Sequence, residues 1–373
     1  MTLRTNIHSI KLHDFRNHAA TSILPSDGLT ILVGPNAAGK TNVLEAITLV
    51  TSGTSFRSLT WSDVVRAGRS AASVHLDGSR GGVAVELGLE VSSSGKREHR
   101  INRAPSKRIA DISGRVPTVT FVPDDLQLAK GNPEARRVAL DTLGSQMSGA
   151  YAALRSEYAR TVRHRNALLK NGCSPEEIYV WDAHLVEAGA AFFQHRMRLT
   201  ARVGESLFPA YSELAEEESL TMYVECSFLQ ERGRAEEFAA MEREDVKESM
   251  RKALIKHSAA EKRRGMTLVG PHRDDLIFEI KGMPARFFSS QGQQRTVALA
   301  WKMAEVSTLR RIAGVDPVLL LDDVMSELDE RRRSALLRFI SEGPQTIMTT
   351  TNLSYFERAE ISEALVVNVV SDG

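Results

Sequence analysis

The spacing of apolar positions changes character twice along the chain. Ile7 to Leu12 reads as a strand, and Leu29-Thr30-Ile31-Leu32-Val33 is a short apolar run that ends at a glycine, as a buried strand does. Asn42 to Val50 places Val43, Leu44, Ile47 and Val50 at three- and four-residue intervals, the period of a helix. Val83, Val85, Leu87, Leu89 and Val91 alternate with their neighbours, which predicts a half-buried strand, and Thr118–Val122 predicts another, closed by Pro123. From Pro133 to His257 turn signals become sparse. Leu185, Phe192 and Leu199 recur every seven residues, with Ala188 and Val203 filling in, a pairing face of a long helix. Asn171-Gly172 and Ser174-Pro175 mark a turn between two helices, and Glu213–Glu218 reads as a solvated helix end or loop. Strand–helix alternation resumes at Thr267, with strands at Val318–Leu321 and Thr346–Thr349 and helices at Gln293–Arg310 and Glu330–Ile340. The pattern predicts an α/β head in two halves, residues 1–123 and 266–373, interrupted by a helical arm over residues 124–265.

Gly34-Pro35-Asn36-Ala37-Ala38-Gly39-Lys40-Thr41 completes the pattern GxxxxGK[ST] between a predicted strand and a predicted helix. Glycines let the backbone fold into a nest of N–H groups aimed at phosphate oxygens, and the helix that follows adds its positive end. Lys40 reaches the β- and γ-phosphates and Thr41 Oγ1 can ligate Mg²⁺. The run Val318–Leu321 ends in Asp322-Asp323, which puts two carboxylates at the end of a buried strand. Asp322 is assigned to the metal, directly or through water, and Asp323 to orienting the attacking water; Lys40 and Asp323 are the catalytic candidates. The expected ligands are therefore ATP and Mg²⁺.

Ser289-Ser290-Gln291-Gly292-Gln293-Gln294-Arg295 opens the helix that precedes this strand. A hydroxyl, a glycine backbone and a helix N-terminus together make a second anion site. One phosphate loop does not need two γ-phosphate sites, whereas two copies facing each other do, so Ser290, Gln291, Gly292 and Gln293 are expected to act on the nucleotide held by the other copy.

Taken with Ser326-Glu327-Leu328-Asp329, these motifs resemble the ATP-binding-cassette heads of the SMC class, and within it the RecF family of bacterial recombination mediators. Further similarities run along nearly the whole chain: Phe15-Arg16-Asn17, Phe121–Leu126, Arg136-Arg137 with Asp141, Arg165–Lys170, Trp181-Asp182 and Gly270-Pro271-His272-Arg273-Asp274-Asp275. The resemblance implies an ABC/SMC-type P-loop ATPase head, a mixed sheet with helices, carrying a short coiled arm as an inserted α-helical domain. It implies that Asn36 contacts phosphate, that Ser326 and Asp329 lie in the loop crossing a dimer interface, and that Asp323, shorter than the usual glutamate, makes hydrolysis slow. It also implies a weak, DNA-stimulated ATPase that dimerises with ATP on duplex, gapped or single-strand-junction DNA, works with RecR and RecO type mediators, and serves recombinational repair, fork recovery and the SOS response. Thr350-Thr351 stand where many cassette ATPases carry a switch histidine, and Gln127 falls late for the usual glutamine, so the γ-phosphate sensor is unassigned.

The 373 residues are 42% hydrophobic and 25% charged, ordinary values for a globular chain, and they exclude a collagen-like or disordered one. No run approaches 18 apolar residues, the N-terminus lacks a secretory apolar core, and Cys173 and Cys226 show no CxxC; together these predict a cytoplasmic protein without membrane contact. Net charge is +1, from 48 basic and 47 acidic residues, so charge bears on DNA only through clustering. Lys96–Arg108 carries six basic residues against one acidic, Tyr151–Asn171 five against one, and Arg251–Arg264 six against one. Arg100, Arg103, Lys107, Arg108, Arg160, Arg163 and Arg165 are the candidate DNA contacts. His8, His13 and His18 fit neither one helix face nor one strand face and are expected at the surface. The alternatives are an SMC-like nuclease or defence ATPase using Asp274-Asp275 with Asp322-Asp323, and a transporter's cassette subunit. His272-Arg273-Asp274 lacks the asparagine of a kinase catalytic loop, since Glu279 stands in its place. As a turn, Pro271–Asp274 is read equally as structural charge pairing or as a contact with nucleotide.

Overall fold

The computed structural model describes residues 2–370 apart from 58, 59, 107, 173, 342 and 357–361, and apart from the side chain at 175. It divides into two compact units, Met1–Leu126 with Ala298–Gly373, and Gln127–Val297.

In the first unit a five-stranded parallel sheet has the order Leu365–Asn368, Leu29–Val33, Thr346–Thr350, Val318–Asp322, Thr118–Phe121. Its register sets Asp322 beside Thr349, and Thr349 beside Leu32, so three strands deliver their C-terminal ends to one edge. Ligand sites form at that edge in open parallel sheets. A second sheet of seven strands is mainly antiparallel and is built around Leu3–Phe15, Ala71–Arg80 and Val83–Ser92. The helix Lys40–Ser52 packs against strands of both sheets, and every residue in it except Thr41 and Asn42 is buried. A helix buried on every face needs such cover. Its inner polar groups are satisfied locally: Thr48, Thr51 and Ser52 hydroxyls donate to carbonyls four residues back.

In the second unit the predicted turn joins Gly149–Asn171 to the 40-residue helix Pro175–Leu214. Ser174 caps the long helix, its Oγ accepting from Glu177 N–H while the Glu177 carboxylate accepts from Ser174 N–H. The seven-residue stripe is buried as spaced: Leu185, Ala188, Phe192, Leu199 and Val203 all lie inside.

The unit is not wholly helical, which corrects the expected arm. Leu220–Cys226 pairs antiparallel with Glu231–Gly233 on one side and with Asp275–Ile280 on the other. That pairing carries residues 266–297, expected in the second half of the head, into the second unit. The alternation of buried Leu220, Met222, Val224 and Cys226 is the signal, masked by the helix-rich composition around it.

Candidate functional site

Gly34 follows the strand Leu29–Val33, and a Cβ there would lie 2.4 Å from the Val369 carbonyl oxygen. Gly39 has φ 102°, a conformation glycine adopts without strain, and a Cβ would lie 2.6 Å from Asn17 Oδ1 and His18 Nε2. The loop is therefore shaped by what surrounds it. Asn17 Nδ2 donates to Ala37 O at 3.2 Å, His18 Nε2 lies 3.1 Å from Gly39 O, and Asn42 Nδ2 donates to Asn17 Oδ1 at 2.7 Å. His18 is buried, contrary to its expected surface place, because it closes the hairpin of Leu3–Phe15 and His18–Ile23 directly behind the loop. Glu45, fully buried, holds Arg16 through two bonds of 3.1 Å and Arg57 through one of 3.3 Å. Lys40 Nζ donates to Gly34 O and Pro35 O, at 2.7 and 2.9 Å.

Thr41 Oγ1 donates to Asp322 Oδ1 at 2.7 Å, across 281 residues of sequence. Thr349 Oγ1 donates to the same oxygen at 2.8 Å and accepts from Asp323 N–H at 2.9 Å. Sequence reasoning passed over Thr349, which ties both acids to the neighbouring strand; only the strand register marks it. These donors are hydroxyl and carboxylate oxygens, with no sulfur or imidazole, which suits a hard cation such as Mg²⁺. Asp323 sits in the left-handed region with φ 48°, and its Oδ1 is a buried acceptor with no hydrogen-bond donor among the described residues. Burial, with the Asp322 charge adding to it, pushes the Asp323 carboxyl above its ordinary range. Strain and an unmatched acceptor cost on the order of 1–3 kcal/mol each, and such costs concentrate at functional sites.

The signature segment belongs to the second unit, where it opens the helix Gln291–Thr308. Ser290 Oγ accepts from Gln293 N–H at 3.2 Å and Gln293 Oε1 accepts from Ser290 N–H at 2.8 Å, a reciprocal cap. Ser326 Oγ donates to Asp323 O, and Asp329 Oδ1 accepts from Arg332 N–H at the start of the helix Glu330–Ser341.

The candidate DNA contacts divide. Arg160 and Arg163 are exposed. Arg100 pairs with Glu98, Arg103 with Glu86 and Arg108 with Asp111. Lys107 lies outside the described residues. Arg165 is withdrawn as a DNA contact: it is 2% exposed and bonds to Asp182, Glu261 and Thr267. In the segment Gly270–Asp275 two residues bond to arginines within the second unit. Arg136 grips both oxygens of Asp275 at 2.7 and 2.8 Å, which occupies that carboxylate, and Arg137 donates to Asp274 O.

The family model described as RecF/RecN/SMC N terminal domain matches residues 6–372. The chain is 35% identical to the DNA replication and repair protein RecF of Gloeobacter violaceus, covering 97% of this chain and 96% of that one. It is 38% identical to the RecF protein of Symbiobacterium thermophilum, covering 93% and 92%. A solved structure described as the recombination mediator protein RecF with ATP in the RecFOR pathway superposes with a TM-score of 0.86 at 31% identity, covering 95% of this chain and 94% of that one. An SMC head domain from Pyrococcus furiosus superposes with a TM-score of 0.56 at 17% identity, covering 98% and 94%, a likeness of fold.

Proposed function

The chain belongs to the RecF family of SMC-type ATPases, and we propose that it is an ATP-gated DNA clamp for recombinational repair. ATP with Mg²⁺ joins two copies head to tail on duplex or gapped DNA, and hydrolysis releases them. The observation that carries this reading is the convergence of Thr41 Oγ1 and Thr349 Oγ1 on Asp322 Oδ1 at the mouth of the phosphate loop. That cluster gathers, within one unit, the hydroxyl and carboxylate oxygens that would hold the metal in this reading.

In this reading the N–H groups of residues 34–41 receive the phosphates, and Lys40 exchanges its two carbonyl partners for phosphate oxygens. Thr41 and Asp322 hold Mg²⁺, which when bound offsets the charge of the β- and γ-phosphates. Asp323, with its free acceptor and raised affinity for protons, orients the attacking water. Its short side chain keeps hydrolysis slow, so ATP works as a switch between association states. Ser290, Gln291, Gly292 and Gln293 complete the site of the other copy, with Ser326 and Asp329 in the loop between copies. DNA stimulation, RecR and RecO type partners and a cytoplasmic setting belong to the same proposal. No helix among the described residues is long and apolar enough to cross a membrane. The bonding of Asp275 to Arg136 weighs against the nuclease reading, which needs that carboxylate free.

The test is solution mass with and without ATP and Mg²⁺, on the natural chain, Lys40→Met and Ser290→Arg. The expected result is a doubling of mass with ATP that both variants lose. An unchanged mass, or normal dimerisation of Ser290→Arg, overturns the composite site.

A further inference from the structure

We propose that Glu218 is a positioning residue for the signature, holding Gln293 in one orientation and tying it to the end of the long arm helix. The proposal rests on the composite-site reading above.

Glu218 belongs to an acidic stretch that by composition is a solvated helix end. Its neighbours fit that description: Glu213, Glu216 and Glu217 are exposed. Glu218 is half-buried, and both its carboxylate oxygens are in use. Oε1 accepts from Gln293 Nε2 at 2.8 Å, and Oε2 accepts from Tyr211 OH at 2.8 Å. Tyr211 lies in the last turn of Pro175–Leu214 and is fully buried. The chain between the two is closed by a turn in which Glu218 N–H donates to Ala215 O.

The consequence falls on the amide of Gln293. Its Oε1 accepts from Ser290 N–H, so only the NH₂ group points at Glu218. Rotating the amide by half a turn would set its oxygen against a carboxylate and its NH₂ against an N–H, two repulsive pairs in place of two bonds. Glu218 therefore selects one orientation of the signature glutamine, through a charge-assisted bond. The cap made by Ser290 Oγ and Gln293 N–H does not depend on Glu218, so loss of the carboxylate frees the side chain without unmaking the helix start. The relay Tyr211–Glu218–Gln293–Ser290 also makes the signature sensitive to any shift of the arm helix.

The experiment compares Glu218→Ala and Glu218→Gln. Glutamine can still accept from Gln293 and donate to the Tyr211 oxygen, so it is the conservative replacement. For Glu218→Ala the expected result is unchanged ATP affinity of the monomer and ATP-dependent dimerisation weakened roughly tenfold, the loss of one bond to a charged group. Glu218→Gln should recover most of that loss. Two differently tagged copies, Glu218→Ala and Lys40→Met, should then associate with ATP. Such a mixed dimer has one site with an intact phosphate loop from the first copy and an intact signature from the second. Normal dimerisation of Glu218→Ala overturns the proposal, as does failure of this mixture where Ser290→Arg with Lys40→Met succeeds. If that control mixture also fails, the composite-site reading falls, and the proposal with it.

Discussion

At the phosphate loop, Thr41 reaches Asp322 across 281 residues, but the loop's own turns are held by side chains that bond to backbone carbonyls no more than 21 residues away. Lys40 reaches carbonyls five and six residues back, and Asn17 and His18 reach carbonyls 20 and 21 residues on. The second unit is held differently. Arg136 pairs with Asp275 across 139 residues, Arg165 with Glu261 across 96, and Arg196 with Asp141 across 55, all of them buried. A loop made of local backbone geometry can lose a side chain and keep its shape. A core containing buried guanidiniums cannot, because each removal leaves a carboxylate without its counter-charge.

The largest expected effect follows from this contrast. Arg165→Ala leaves Glu261, 0% exposed, without its cation, and should cost ~3–5 kcal/mol of stability. Lys40→Met gives up two bonds from an ammonium to carbonyls but also removes a buried charge, so it should cost about 1–2 kcal/mol in the same urea titration, less than Arg165→Ala, while abolishing ATP binding. Equal losses in the two variants would break the distinction between the units.

The same contrast explains what could be read from the sequence. Gly34–Thr41 is legible because eight consecutive residues carry the chemistry and their spacing is the mechanism. Asp322 is legible because a buried strand announces its own end. Asn17, His18 and Glu45 are not, since nothing in their spacing says that a hairpin and a helix flank the loop. Arg165 misled for a physical reason: on a basic helix it looks like its neighbours Arg160 and Arg163, and only the distant Glu261 and Thr267 draw it inward. Glu218 is the reverse case, an interior contact within an acidic surface run. The strand Leu220–Cys226 was within reach, because its alternation is plain once the run is read two residues at a time.

A smaller effect sharpens the account of the second unit. His272 Nδ1 lies 2.7 Å from Tyr158 OH and Nε2 lies 3.2 Å from Thr267 O, partners that suit a neutral ring donating from Nε2. Burial lowers its pKa to about 4, while burial raises that of Asp274 to about 6. As pH falls from 7 to 5 the unfolded chain protonates its histidine first, so His272 should remove about 2 kcal/mol of stability. Asp274 binds its proton first in the folded state and should return about 1 kcal/mol over the same interval. Between pH 7 and 5 these two groups together should thus cost the natural chain little, and His272→Gln should gain stability relative to it as pH falls. A variant whose stability declines with acid as the natural chain's does would show that His272 is not the titrating group.

The smallest effect on stability separates the charged surfaces of the two units. Arg160→Ala and Arg163→Ala remove exposed side chains and should shift stability by no more than about 0.5 kcal/mol. If these arginines meet DNA phosphates, each variant should weaken binding alike on all sequences and lower the salt slope by about 0.9. Arg100→Ala should do less, because Glu98 at 2.8 Å and Glu90 at 3.6 Å already offset its charge. DNA must displace those carboxylates before gaining a phosphate contact, whereas the exposed arm arginines carry no such cost. A steeper fall in salt dependence for Arg100→Ala than for Arg163→Ala would move the DNA surface from the arm helix to the antiparallel sheet.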